Sequence, residues 1–218
     1  MRTICSILAV SIPGLLLSIP LSAQTNEIGV FANHASLSST TASDSSVGLT
    51  ARQTYNSRTG FGISFNHYFS QSVSLQLTAQ DVKANTRLAV SSGGVTSNFN
   101  AGSIELRQYD AALQWHFIPS GWMNPYVGAG VARIQNGKMR IPAELTDSGT
   151  AAETASLDSK TTWLADAGVD FRVSRNALIT LNARYTRYST GFGATPDDPV
   201  QRLKLDPITI AAGLSLRF

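Results

Sequence analysis

The sequence predicts an all-β fold: an eight-stranded antiparallel transmembrane β-barrel with short periplasmic turns and long extracellular loops. Three observations carry that expectation. Apolar and polar residues alternate with a period of two in eight segments, as in strands whose two faces meet different surroundings. The connections between these segments are alternately long and short, which places the long ones together at one end. Only 14% of the 218 residues are charged, against roughly 25% in an average soluble domain, so the composition suits neither an ordinary soluble enzyme nor a charged disordered tail.

The barrel is preceded by a leader. Met1-Arg2 gives a positive start, Ile4 to Leu21 is largely apolar, and Ser22-Ala23 offers a small-residue cleavage point, so residues 1 to 23 read as a secretory signal peptide. A membrane anchor needs about 20 uninterrupted apolar residues, and Pro13, Gly14 and Pro20 interrupt this run. Residues 24 to 218 then form one barrel domain of 195 residues (218 − 23), whose formal charge falls from +3 to +2 with the loss of Arg2. The single cysteine, Cys5, lies in the leader. The exported chain therefore has no disulfide or thiolate chemistry, and no cysteine follows the cleavage point to take a lipid anchor. Its cations are scattered singly, which excludes a nucleic-acid footprint.

The strands are expected at 26 to 38, 59 to 69, 73 to 82, 105 to 117, 125 to 135, 161 to 173, 177 to 188 and 205 to 218. In the third, Val73, Leu75, Leu77 and Ala79 alternate with Ser74, Gln76, Thr78 and Gln80. The sixth sets Trp163, Ala165, Ala167, Val169 and Phe171 against Leu164, Asp166, Gly168, Asp170 and Arg172. In the seventh, Ile179, Leu181, Ala183 and Tyr185 alternate with Thr180, Asn182, Arg184 and Thr186. The last is the clearest, with Ile208, Ile210, Ala212, Leu214, Leu216 and Phe218 on its greasy face.

Between these lie long connections at 39 to 58, 83 to 104, 136 to 160 and 189 to 204, and short ones at 70 to 72, 118 to 124 and 174 to 176. The long ones are rich in turn residues, as in Ser91-Ser92-Gly93-Gly94 and Thr195-Pro196-Asp197-Asp198-Pro199. The short ones are hairpin turns. For the third long connection, Pro142 and the Ala/Thr-rich run to Ala155 leave a short helix and disorder equally open. A soluble barrel or sandwich would turn its apolar face inward. Charges in the polar set favour the inverted arrangement, as do aromatics near the strand ends: Phe61, Phe69, Tyr109, Trp115, Phe117, Trp163, Phe171 and Phe218 would form two interfacial girdles.

Several stretches resemble the OmpW family of small outer-membrane barrels. They are Asn124-Pro125-Tyr126-Val127-Gly128-Ala129-Gly130-Val131, Ala167-Gly168-Val169-Asp170-Phe171, Leu181-Asn182-Ala183-Arg184-Tyr185, and Leu205-Asp206-Pro207 leading to Ala212-Gly213-Leu214-Ser215-Leu216-Arg217-Phe218. Gly60-Phe61-Gly62 and Tyr68-Phe69 sit where that family has its second strand, so the resemblance covers roughly residues 59 to 218. Ile208 stands where the family usually has an aromatic. The resemblance implies a bacterial outer-membrane protein that passes small hydrophobic compounds. It also suggests lateral exit at Pro207, whose missing N–H removes a ladder bond, although a proline at that place more often simply marks the first turn of the strand.

An eight-stranded barrel is just wide enough for its own side chains. The inward candidates are Asn66, Tyr68, Gln76, Gln80, Asp110, Gln114, His116, Tyr126, Asp166, Asp170, Arg172, Asn182, Arg184 and Arg217. They form either a permeation path or a plug of paired charges, and the cost of unpaired buried charge favours the plug. Small residues (Gly128, Gly130, Ala132, Ala211, Gly213) leave room for a pocket at one end, lined by Leu164 and other apolar groups. Phe218 with its alternating predecessors resembles the terminal signal read by a barrel-assembly machine.

No cofactor is expected: there is no P-loop or HExxH, and Gly128-Ala129-Gly130 is followed by no helix. His67 and His116 lack ligand spacing for a metal. The expected partners are outer-membrane lipid and lipopolysaccharide, the assembly machinery and a small hydrophobic ligand. The expectation is a passive transporter rather than an enzyme. Two alternatives stand beside it: a structural or adhesive barrel with surface-binding loops, and a lipid-modifying hydrolase built on His34 and Ser36.

Overall fold

The computed structural model describes residues 26–44, 49–92, 94–141, 153–157, 159–192 and 201–218. The leader with Cys5 and the segment around Pro142 lie outside them. The strands are β1 (Asn26–Ser36), β2 (Thr40–Asp44), β3 (Leu49–Tyr68), β4 (Val73–Ser92), β5 (Val95–His116), β6 (Met123–Ile141), β7 (Glu153–Leu157), β8 (Lys160–Arg172), β9 (Ala177–Thr186), β10 (Ser189–Phe192), β11 (Gln201–Lys204) and β12 (Ile208–Arg217).

Eight of them close a ring in the order β1-β12-β9-β8-β6-β5-β4-β3, with β3 returning to β1. All the pairings are antiparallel, as short hairpin turns require. The ring is sealed at the termini, where Asn26 and Phe218 exchange both backbone hydrogen bonds at 2.8 Å. Three turns, around residues 69 to 72, 117 to 122 and 173 to 176, lie at the same end as these termini.

The opposite end differs from the sequence expectation. Much of what the turn-rich composition suggested as loop is strand: β3 begins at Leu49, β4 runs to Ser92, and β5 starts at Val95. Ser, Thr and Asn pair readily across strands even though they signal turns in isolation. β2 and β7 extend this raised sheet by pairing with β3 and β6, while β10 and β11 form a separate hairpin.

The barrel wall is inverted as expected. Val30, Ile63, Leu113, Val131, Leu181 and Leu214 are all at least 45% exposed on the outside, where lipid tails cover them. Phe69, Trp115, Phe117, Trp122 and Phe218 ring the end bearing the termini. Phe61, Tyr109, Trp163 and Tyr185 ring the other, with Trp163 and Tyr185 rings 5.3 Å apart. On β9 the lipid-facing band runs from Ala177 to Tyr185, the roughly ten-residue length that spans a bilayer core when tilted.

Candidate functional site

The strands change character at the outer girdle. Along β4, Ser74, Gln76, Thr78 and Gln80 point inward; beyond them the inward residues become Val82 and Ala84, while Asp81, Lys83 and Asn85 face out. β5 does the same, with Gln114, Asp110 and Gln108 giving way to Leu106 and Ile104. The reversal is what solvent demands: below the girdle the outside is hydrocarbon, and above it the outside is water. The lumen is therefore polar at membrane depth and apolar at its outer end.

The polar part is a plug. Arg184 on β9 donates to Asp110 on β5 at 2.7 Å and to Gln76 on β4 at 2.5 Å, and lies 3.6 Å from Asp166 on β8. Gln114 and Asn182 donate to the same Asp166 oxygen at 2.9 and 3.3 Å, and Asn182 also reaches the Tyr126 hydroxyl at 3.1 Å. Gln108 ties Asp110 to Thr186 at 2.9 and 3.0 Å. Towards the periplasm, Arg217 pairs with Glu27 and lies over the Tyr68 ring, 5.3 Å from its centre. His116 then stacks between Tyr68 and Tyr126 at 5.0 and 5.2 Å. Thr180 donates to Asp170 at 2.8 Å. Beside this network is a void of about 30 Å³ lined by Gln76, Tyr126, Asn182, Arg184, Ala211 and neighbours, room for about two waters.

Above the plug, Ala35, Leu37, Val82, Ala84, Ile104, Leu106, Ile134, Tyr188 and Leu205 form one buried apolar cluster, with Tyr55 packed against it. Ala112, Ala132 and Leu164 make a smaller cluster of their own. On one side of the apolar cluster the backbone ladder of the wall is interrupted, and a side chain bridges it, the Ser57 hydroxyl of β3 donating to the Ala35 carbonyl of β1. The β1–β3 ladder ends at the pair His34–Thr59, above which Ala35 and Ser36 stay with β12 while β3 continues with β4. At the same height the β3–β4 register slips between Arg58 and Gly62. Gly60 sits in this slip so tightly that a Cβ there would lie 2.0 Å from the Asp81 carbonyl. The Asn33 amide crosses from β1 to donate to that carbonyl at 3.2 Å and to Gln80 at 3.1 Å. On the outer wall just below the seam lies a groove of about 660 Å³ walled by Val30, Phe61, Ile63, Tyr109 and Leu214, with Ala32, Ala79 and Ala212 on its floor.

Tyr68, Asp110, Gln114, Tyr126, Leu164, Asp166, Asp170 and Arg184 are all buried in the lumen, and Arg217 is half-buried at its periplasmic mouth. Three expectations need correction. Arg172 shares a face with Asp170 but lies past the lumen, exposed, where it donates to the Pro119 carbonyl at 3.1 Å. Pro207 opens no gap, because Thr186 N–H donates to its carbonyl at 3.0 Å and Ser38 N–H reaches the Leu205 carbonyl at 2.8 Å, closing the wall on either side. The small residues do not create an apolar pocket at Leu164. Asp166 and Gln114 fill the space at Gly128, Phe31 fills it at Gly213, and the β5 backbone fills it at Gly130. His34 and Ser36 are exposed on the outer face of β1, away from the lumen. Sequence reasoning missed the apolar cluster and the Gly60 seam; the reversal of alternation at Asp81 and Arg107 was the signal available.

A closed eight-stranded barrel with a lipid-facing belt, a polar plug and an apolar cluster above it is an outer-membrane protein of a diderm bacterium. Residues 21–218 match the profile of the OmpW family, and the chain belongs to that family. Solved structures with the same fold include OprG of Pseudomonas aeruginosa, with a TM-score of 0.61 at 18% identity over 90% of this chain and 96% of that one. Another is AlkL, determined by solid-state NMR in DMPC bilayers, with a TM-score of 0.57 at 15% identity over 99% of this chain and 97% of that one. Neisserial surface protein A aligns with a TM-score of 0.54 at 15% identity over 88% and 97%. No curated protein matches the chain by sequence.

Proposed function

We propose that this barrel passes small hydrophobic molecules from the cell exterior sideways into the outer membrane, without catalysis. In this reading its lateral neighbours are phospholipid and lipopolysaccharide, and the barrel-assembly machinery inserts it. One observation carries the reading: the β1–β3 backbone ladder ends above His34–Thr59 beside the buried apolar cluster, and an apolar groove lies on the outer wall just below that point. A solute that parts the packed side chains of Leu37, Ile104 and Leu205 sheds water among them, gaining roughly 25 cal/mol per Å² of its own apolar surface removed from water. The charged plug below offers it no such gain. The route of least cost is therefore through the wall, where the β1–β3 backbone ladder ends and only the Ser57–Ala35 hydrogen bond has to give way.

The test is to lock the seam. Residues 24 to 218 contain no cysteine, and His34 and Thr59 are directly opposed, a spacing that suits a disulfide. In vesicles with a lipopolysaccharide outer leaflet, the oxidised His34→Cys/Thr59→Cys protein should lose uptake of a small apolar dye, and reduction should restore it. Uptake unchanged by oxidation would overturn lateral passage. Flux of a polar solute of similar size through the parent would replace it with an aqueous pore.

A further inference from the structure

A second groove, of about 700 Å³, lies on the outward face of β3, β4 and β5 where these strands rise above the membrane. Its rows follow from the register. Asn56, Asn85 and Ser103 lie side by side across the three strands, and Arg87 and Asn100 form the next row up. Arg58 borders it from below and Phe99 from above. The concavity comes from a β-bulge: Asn85 pairs with Ser103, but Arg87 pairs with Asn100, so β5 holds one extra residue. Gly102 takes φ +94° there and donates its N–H to the Asn100 side chain at 3.2 Å, a conformation glycine accepts without strain.

The lining has a specific chemistry. Each asparagine amide presents a donor and an acceptor side by side, which matches a pair of vicinal hydroxyls. Asn98, on the same face of β5 as Asn100, extends this polar lining upward. The charges nearer the membrane are neutralised in pairs, Asp81 with Arg107 at 3.5 Å and Lys83 with Glu105 at 3.9 Å. Among the described residues, no carboxylate lies within ion-pair distance of Arg58 or Arg87. Arginine is suited to two-pronged contact with phosphate or carboxylate.

We infer that this groove binds the phosphorylated core sugars of the lipopolysaccharide surrounding the barrel. Its position selects that source over a free glycan. Asn85 and Arg87 lie six and eight residues beyond Ala79, the last apolar outward residue of β4, which at ~3.3 Å per residue and a tilt of ~40° is about 15 to 20 Å above the hydrocarbon. The groove faces sideways along the membrane, where headgroup sugars lie, rather than up into the medium. The inference rests on lipopolysaccharide being the neighbour of the outer wall.

The experiment uses refolded residues 24 to 218 in nanodiscs, titrated with delipidated core oligosaccharide, the same oligosaccharide after dephosphorylation, and intact lipopolysaccharide. Phosphorylated core should bind, and Arg58→Gln with Arg87→Gln should weaken it at least tenfold, as should dephosphorylation. Asn56→Ala with Asn85→Ala should weaken both sugar forms. Folding of each variant is checked by its heat-dependent gel mobility. Binding of intact lipopolysaccharide without the oligosaccharide, or equal binding by the double arginine variant, overturns the groove while leaving the neighbour in place. Failure of both ligands removes the neighbour as well. Preference for an unrelated sulfated glycan over the core would overturn the assignment of source.

Discussion

Arg184 of β9 meets Asp110 of β5 across the lumen, 2.7 Å from Nη1 to Oδ2, with both side chains no more than 5% exposed. The two strands are not neighbours in the ring, so the contact is a strut through the interior rather than a rung along the wall. Asp166 supplies the second carboxylate, and Gln76, Gln80, Gln108 and Gln114 complete the shell.

Arg184→Leu should destabilise the barrel by about 3–5 kcal/mol, because it strands two buried carboxylates without their cation. Adding Asp110→Asn and Asp166→Asn should recover much of that loss, since the penalty lies in uncompensated charge rather than in lost attraction. Urea titration in detergent, read by gel mobility and tryptophan fluorescence, checks both. A triple variant no more stable than Arg184→Leu alone would refute the account.

The same plug predicts electrical silence. With a void of only about 30 Å³ beside Arg184, the resting protein should give no stepwise ion conductance in planar bilayers. Steady unitary steps from purified wild-type protein would mean that the Arg184 network opens.

How much of this was legible in the sequence depends on depth. At membrane depth alternation and connection length suffice: Leu77 against Gln76, or Ile179 against Thr180, sort themselves correctly because lipid and lumen differ sharply. Above the girdle the same period persists with its faces exchanged, so Val82 and Ala84 look like the end of a strand rather than members of a buried apolar cluster. The segment from Lys83 to Ile104 reads as loop because Asn, Ser and Gly dominate it, while its strand pairing is a tertiary fact set by β3 and β5 on either side. The seam at Gly60 depends on a register slip between strands, which no single segment encodes. Pro207 illustrates the converse: a proline marks a missing donor, but neighbouring segments still closed the wall around it.

Gly130 should be intolerant for a reason unrelated to the lumen. A Cβ at that position would lie 1.9 Å from the Ala111 carbonyl and 2.6 Å from the Ala112 Cα, and these are backbone atoms that cannot swing aside. Gly130→Val should therefore fail to refold. Gly94→Ala, where a Cβ meets nothing within 4 Å and only the φ of +82° opposes it, should refold with a small loss in stability. Refolding yields measured side by side in one detergent test the contrast, and comparable yields would show that β5 and β6 can separate at this point.

Phe218 combines two roles that a truncation cannot separate. Its backbone exchanges two hydrogen bonds with Asn26, closing the ring, while its ring is 67% exposed to the lipid side and contributes nothing to the lumen. Deleting the residue removes both. Phe218→Ala retains the backbone pair and removes only the ring, so it should refold in detergent like the parent, within about 1 kcal/mol, as expected for a lipid-side change that leaves no buried group unpaired. In cells it should reach the periplasm normally but yield less membrane-inserted barrel, if the assembly machinery recognises the terminal aromatic. Deletion of Phe218 should fall below the alanine variant in both settings, since it also opens the β1–β12 junction. Equal insertion of Phe218→Ala and parent in cells would assign the residue to closure alone, and a defect of the alanine variant confined to detergent refolding would do the same.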